Sequence, residues 1–476
     1  MKKSKQDTLL KTPTGINGLD EITSGGFPKG RPVLICGSAG CGKTLFAAQF
    51  LVKGITEYNE PGVFMSFEET ATDLEQNFKS LGFDFKKLQA TNKLRIDHVR
   101  IERTEIEETG EYDLEGLFIR LNYAIDSIGA KRVVLDTIES LFSGMENMAL
   151  LRSEIRRLFT WLKEKGVTAI ITGERGENSL TRQGLEEYVS DCVILLDFRV
   201  IEQIATRRLR IVKYRGSTHG TNEYPFLIGQ DGISVLPVTS LKLDYKSSTE
   251  IISTGLPAVD HSFSKGGIYR ASSTLVTGNA GTSKTIFAGH FAMSSCERKE
   301  TTLFFSFEES PDQMVRNMAT VGINFKQAIQ SKLLHIHASR PSLLGLEMHL
   351  MVLNKLLEEL KPRTVIIDPI SSLITIGNLN EVRAMLIRLM DNLKINQINA
   401  LFTSLTHDGY SENNDSILDA VSSLADTWIN LKNEERNNER VRSLLIVKSR
   451  GMGHANNQLD FTITGKGIQF TNTNQK

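Results

Sequence analysis

The stretch Gly37-Ser38-Ala39-Gly40-Cys41-Gly42-Lys43-Thr44 returns 241 residues later as Gly278-Asn279-Ala280-Gly281-Thr282-Ser283-Lys284-Thr285. The pattern G-x-x-x-x-G-K-[ST] restricts the fold strongly, because it has chemistry only where a strand enters it and a helix leaves it. There, backbone N–H groups and the helix N-terminus surround phosphates, the lysine reaches the β and γ oxygens, and the hydroxyl binds Mg²⁺. Residues 32–36 form a short apolar run ahead of the first copy, and residues 45–52 have helical spacing behind it. ATP binding is the expected activity of both copies. The second departs at Ser283, where the pattern wants glycine; a side chain restricts the backbone there, so weaker binding or a degenerate structural copy is the competing expectation.

The duplication extends beyond the loops. Thr14-Gly15-Ile16-Asn17-Gly18-Leu19-Asp20 matches Thr254-Gly255-Leu256-Pro257-Ala258-Val259-Asp260, and Ser66-Phe67-Glu68-Glu69 matches Ser306-Phe307-Glu308-Glu309, both at an offset of 240. Leu135-Asp136 pairs with Ile367-Asp368, and Lys213-Tyr214-Arg215-Gly216 with Lys448-Ser449-Arg450-Gly451. A period this long indicates two tandem globular units, since solenoid repeats run to about 20–50 residues. Apolar runs at 62–67, 133–135, 168–171 and 192–196 alternate with charged helical segments and recur in the second half. The expected fold is therefore α/β: two tandem RecA-like domains, each a mostly parallel sheet covered by helices on both faces. Residues 208–213 and 232–236 read as edge strands. The expected organisation is a flexible 1–12, domains at 13–246 and 247–470 with a polar linker ending near Lys246, and a short tail at 471–476.

Lysine plus arginine equal aspartate plus glutamate at 56 each, so no overall basic field draws the protein to nucleic acid. The chain lacks a long uncharged apolar run, and its first residues are polar where a signal peptide would be apolar; a cytoplasmic protein without membrane attachment is expected. The four cysteines, Cys36, Cys41, Cys192 and Cys296, form no C-x-x-C and read as free thiols. His335, His337, His349 and His407 form no metal-ligand set, and residues 410–415 read as a solvated loop.

Three recurring features carry candidate chemistry. Glu68-Glu69 and Glu308-Glu309 each end the strand after the loop helix, at the carboxyl edge where doubly wound sheets bind ligands, and could supply a catalytic base. Asp136 and Asp368 close apolar strands where an acid would hold the Mg²⁺ shell with Thr44 and Thr285. Lys213 with Arg215, and Lys448 with Arg450, suggest γ-phosphate contacts supplied to a neighbouring subunit.

Taken together, these features resemble the KaiC family of bacterial clock ATPases and autokinases, from about Pro13 to Phe470. The resemblance implies a homohexamer of two stacked rings with ATP between subunits, slow hydrolysis in the first ring, and serine/threonine autokinase activity in the second, serving circadian timing or stress signalling. The family's phosphosites map onto Ser422 and Ser423, with serine in place of the usual threonine at the second; Glu187-Tyr188 stands opposite them in the first half. Under the resemblance a KaiB-like protein is a candidate partner. The chain stops six residues after Phe470, which argues against a KaiA-like activator and a self-sustained rhythm. A DNA-stimulated RecA- or DnaB-like ATPase and a non-catalytic nucleotide-bound scaffold remain the alternative readings.

Overall fold

The computed structural model describes residues 9–99, 114–141, 148–176, 180–181, 190–201, 204–236, 247–406, 421–436 and 439–471. Glu187-Tyr188, the boundary at Lys246, His407, the 410–415 segment and residues 472–476 lie outside them. The chain divides into two compact units, Met1–Thr239 and Ser240–Lys476.

In the first unit β1 (Pro32–Gly37), α1 (Lys43–Tyr58) and β2 (Gly62–Ser66) follow one another, then β3 (Leu94–His98), α2 (Glu115–Ile128), β4 (Arg132–Asp136), α3 (Met148–Glu164), β5 (Thr168–Glu174), β6 (Cys192–Ile201), β7 (Ile204–Tyr214), β8 (Glu223–Gly229) and β9 (Gly232–Val235). They build one nine-stranded sheet in the order β3-β2-β4-β5-β1-β6-β7-β8-β9. The first six are parallel, and the last three continue the sheet antiparallel.

All six residues of β1 are buried, and its alternating side chains serve two cores. Val33 and Ile35 pack with Phe46 and Phe50 of α1; Leu34 and Cys36 pack with Leu158 and Leu162 of α3. A strand covered on both faces must be apolar at every position, which is why it reads as an unbroken hydrophobic run. Cys36 and Cys192 lie in these cores, and all four cysteines are buried thiols outside any disulfide.

The second unit repeats the plan with β10 (Ser273–Gly278), α4 (Lys284–Glu297), β11 (Thr302–Ser306), β12 (Leu334–Ala338), α5 (Leu346–Leu360), β13 (Thr364–Asp368), α6 (Leu379–Ile395), β14 (Asn399–Leu405), β15 (Thr427–Arg436), β16 (Glu439–Ser449), β17 (Leu459–Thr464) and β18 (Gly467–Phe470). Its order, β12-β11-β13-β14-β10-β15-β16-β17-β18, is the same.

One expectation is corrected. Residues 208–213 belong to β7, which lies between β6 and β8; of the two segments read as edge strands, only 232–236, which carries β9, is at a sheet edge, the other edge being β3. Arg208 and Arg210 alternate with the buried Leu209 and Ile211, a pattern shared by edge strands and by interior antiparallel strands with one wet face.

Candidate functional site

Each phosphate loop leaves the carboxyl end of a central strand. A Cβ added at Gly37 would stand 2.4 Å from the Leu196 carbonyl oxygen and 2.5 Å from the Cys41 sulfur; at Gly278 it would stand 2.3 Å from the Leu431 oxygen and 2.6 Å from Thr282 Oγ1. The first glycine therefore lets the loop lie against its neighbouring strand, β6 or β15. Ser38, Ala39 and Gly40 are exposed at the crown of the first loop, as are Ala280 and Gly281 in the second. Gly42 and Ser283 occupy the N-cap position in the left-handed region, with φ of 104° and 76°. Ser283 thus takes the backbone form expected of glycine.

Lys43 Nζ donates to the carbonyls of Gly37 (2.9 Å) and Ser38 (3.1 Å). Lys284 does the same with Gly278 (2.7 Å) and Asn279 (2.8 Å). Burial lowers the Lys284 pKa, opposed by the charges of Asp368 and Glu308. The Asn279 side chain accepts from Thr406 Oγ1 at 2.8 Å, tying the loop to the end of β14.

Beside each loop stands a buried acid. Asp136 accepts hydrogen bonds from the hydroxyls of Thr172 on β5 and Thr44 on α1, and Asp368 from those of Thr403 on β14 and Thr285 on α4. Burial pushes both carboxyls above the usual range, and the hydroxyls oppose that shift. Strand pairing sets Ser66 opposite Asp136 and Ser306 opposite Asp368, so the glutamate pairs emerge beside the acids.

The two members of each pair diverge. Glu68 Oε1 accepts from Thr137 Oγ1 (3.0 Å) and Ser140 Oγ (2.5 Å), and Glu308 Oε1 from Ser372 Oγ (3.1 Å), all on the segments leaving the acid-bearing strands. Glu69 and Glu309 instead accept from Asn77 and Asn317 on the following helices, at 3.0 and 3.3 Å. Ser66 and Ser306 close these turns, each hydroxyl bonding the backbone of the second glutamate in both directions. Only the first glutamate is thereby turned toward the acid and the loop.

The basic residues stand elsewhere. Lys448 pairs with Trp428, and Trp428 with Leu275, three residues before the loop begins at Gly278. At about 3.3 Å per residue that is roughly 10 Å. Lys448 also points away from the loop, donating to the carbonyls of Ser422 (2.8 Å) and Ala425 (2.9 Å), while Arg450 donates to the carbonyl of Ser423. In the first unit Lys213 pairs with Val193, beside Leu34, and Arg215 forms an ion pair with Asp191 at 3.6 Å. The sheet thus brings loop, acid and first glutamate to its carboxyl edge, and places the basic pair, with Ser422 and Ser423, toward the other end.

Four threonine and serine contacts are not evident from the sequence: Thr172 and Thr403 on the acids, and Ser372 with its counterpart Ser140 on the glutamates. Thr172 and Thr403 do recur at the equivalent place in β5 and β14, so the duplication held the signal. Among the described residues no three His, Cys, Asp or Glu side chains gather as a metal site, and no helix is long and apolar enough to cross a membrane.

Comparison with known proteins decides the ancestry. The KaiC ATPase family matches residues 12–240 and again 252–475. The chain belongs to the KaiC ATPase family. It is 54% identical over 467 residues to the circadian clock protein KaiC2 of Synechocystis, covering 98% of this chain and 82% of that one. It is 36% identical to the circadian clock oscillator proteins KaiC of Parasynechococcus marenigrum and Synechococcus elongatus, across 98% of this chain and 91% and 89% of theirs.

Proposed function

We propose that this KaiC-family chain is a ring-forming, cytoplasmic ATPase whose first unit hydrolyses ATP and whose second transfers the γ-phosphate to Ser422 or Ser423 of the adjacent copy, in circadian or stress timing. The observation that carries it is the separation within one unit. Lys448, Arg450 and both serines stand toward the end of the sheet opposite Lys284, Asp368 and Glu308. A fork that cannot reach its own loop is placed to meet a neighbour's, and a head-to-tail contact of that kind closes into a ring.

Thr44 with Asp136, and Thr285 with Asp368, bring a hydroxyl and one acid together where the loop ends. That pair fits Mg²⁺, which takes few protein ligands and keeps waters and phosphate oxygens; when bound it would neutralise charge on the phosphates. In the second unit the Oγ of Ser422 or Ser423 forms the new O–P bond and its proton passes to the neighbouring copy's Glu308. The bond from the γ-phosphorus to the bridging oxygen breaks, its electron pair leaving on ADP. In the first unit Glu68 orients and deprotonates a water instead, with Lys213 and Arg215 of the adjacent copy facing the γ-phosphate. Glu69 and Glu309 hold the turn that aims their neighbours. The proposal includes six copies in two stacked rings and a KaiB-like partner on the first ring, as the family resemblance implies.

Incubation with Mg-ATP and phosphopeptide mapping tests the transfer, with label expected at Ser422 and Ser423. Mixing chains carrying Lys213→Ala and Arg215→Ala with chains carrying Lys43→Ala should restore part of the first unit's ATPase activity. Absence of restoration at every ratio would argue against shared sites.

A further inference from the structure

Residues 421–424 are helical, and the Ala425 N–H donates to the Val421 carbonyl at 3.0 Å. The last carbonyls of a helix lie beyond the reach of its own i+4 N–H groups and take partners from elsewhere. Here those carbonyls are met by cations: Lys448 on Ser422 and Ala425, Arg450 on Ser423. Positive charge at a helix C-terminus is favourable for the same reason. Asp426, just beyond the turn, is held by Lys394 (2.9 Å) and by the N–H and hydroxyl of Ser273 (2.9 Å each), with Arg450 only at 4.0 Å, so the fork's shortest contacts are with the turn that carries the two serines.

We propose that Lys448 and Arg450 are positioning residues for the phosphate acceptor, each holding one serine by its main-chain carbonyl and so setting which hydroxyl faces the neighbour's γ-phosphate. This rests on the reading of Ser422 and Ser423 as acceptors. It adds to the fork a second role besides meeting phosphate: the same two side chains register both partners of the transfer, so a shift of either cation toward phosphate loosens the turn that carries the nucleophile. Lys448 bears on Ser422 and Arg450 on Ser423, and the two residues therefore bias the reaction in opposite senses.

The test is the ratio of phosphate on the two serines rather than its total. Full-length chains are incubated with Mg-ATP and the singly phosphorylated Ser422 and Ser423 peptides are quantified over time. Lys448→Ala should lower the Ser422 share and Arg450→Ala the Ser423 share, each by about tenfold, the scale of one lost charge-assisted hydrogen bond. Lys448→Gln and Arg450→Gln keep a donor for the carbonyl while removing the charge that phosphate needs; they should lower total label and keep the wild-type ratio. Thermal melts of all four variants identify any that fail to fold, and the glutamine pair carries the comparison if an alanine variant does. Shares that stay at the wild-type value in both alanine variants, that move together, or that change in the glutamine variants overturn the proposal. Absence of label on both serines in the wild-type chain overturns the acceptor assignment itself.

Discussion

Ser283→Gly separates the cost of forming the second phosphate loop from the cost of filling it. Ser283 sits at φ 76° and ψ 28°, a left-handed conformation that Gly42 adopts in the first loop at φ 104° and ψ 22°. A side chain in that region costs about 1–2 kcal/mol. Glycine removes that strain but frees the unfolded chain, which returns about 0.4–1 kcal/mol. The second unit should therefore gain about 0.5–1 kcal/mol of folding stability. The loop is already closed around Lys284, so the strain belongs to folding, and nucleotide affinity should change by less than about threefold, under ~0.7 kcal/mol. Each unit has one tryptophan, Trp161 and Trp428, and Trp428 donates to Thr277 in β10 at 2.9 Å. In a Trp161→Phe background its fluorescence reports denaturant unfolding of the second unit, while titration with a fluorescent ATP analogue in a Lys43→Ala chain reports affinity. A tenfold gain in affinity with unchanged stability would refute the reasoning, because it would place the strain in the binding step.

The converse change, Gly42→Ser, puts a side chain at a less favourable φ with its Cβ 3.1 Å from Ile228 Cδ1, and should destabilise the first unit by about 1–3 kcal/mol in the same unfolding assay read through Trp161. Glu68→Gln should cut the first unit's ATP turnover by about 10²–10⁴-fold, whereas Glu69→Gln, whose side chain still meets Asn77, should keep most of it; equal losses in a steady-state phosphate-release assay would contradict the division of roles. Burial lowers the His290 pKa, and its Nε2 accepts from Ile468 N–H at 3.1 Å, as Gln49 bonds Ile233 in the first unit. The unfolded chain then binds the proton more readily than the folded one, so stability is full above the ordinary histidine pKa of about 6.5 and falls as pH drops through and below it. His337 and His349, lowered for the same reason, act with the same sign; His290→Gln should reduce the slope of second-unit stability against pH, and an unchanged slope would exclude His290 as a contributor.

The loops, acids and first strands were legible because each is fixed by local geometry: β1 must be apolar throughout, and the lysine and hydroxyl must follow the last loop residue directly. Where one face of a strand is wet the signal fades. β3 and β12 alternate leucine and isoleucine with Arg95, Asp97, His335 and His337, and the run ending at Leu236 was seen while its partner β8, which carries Pro225, was not. The divergence of Glu68 from Glu69 was invisible for another reason, since both have the same chemistry and only Asn77, eight residues away, reveals which one is turned aside.

What sequence order could not convey is which end of the sheet a residue occupies. Phosphate loop, acid and first glutamate all follow parallel strands and must share the carboxyl edge. The basic pair ends an antiparallel strand, β7 or β16, whose last residues return to the opposite end. Under the proposed function that reversal matters: had Lys448 and Arg450 ended a parallel strand they would stand beside their own loop, and each unit could complete its site alone. Ending an antiparallel strand, they stand away from their own loop, placed as the proposed function needs to complete the site of another copy, and the turn bearing Ser422 and Ser423 travels with them. Under the proposed function, one change of strand direction is what makes nucleotide turnover and phosphate acceptance properties of the seam between copies.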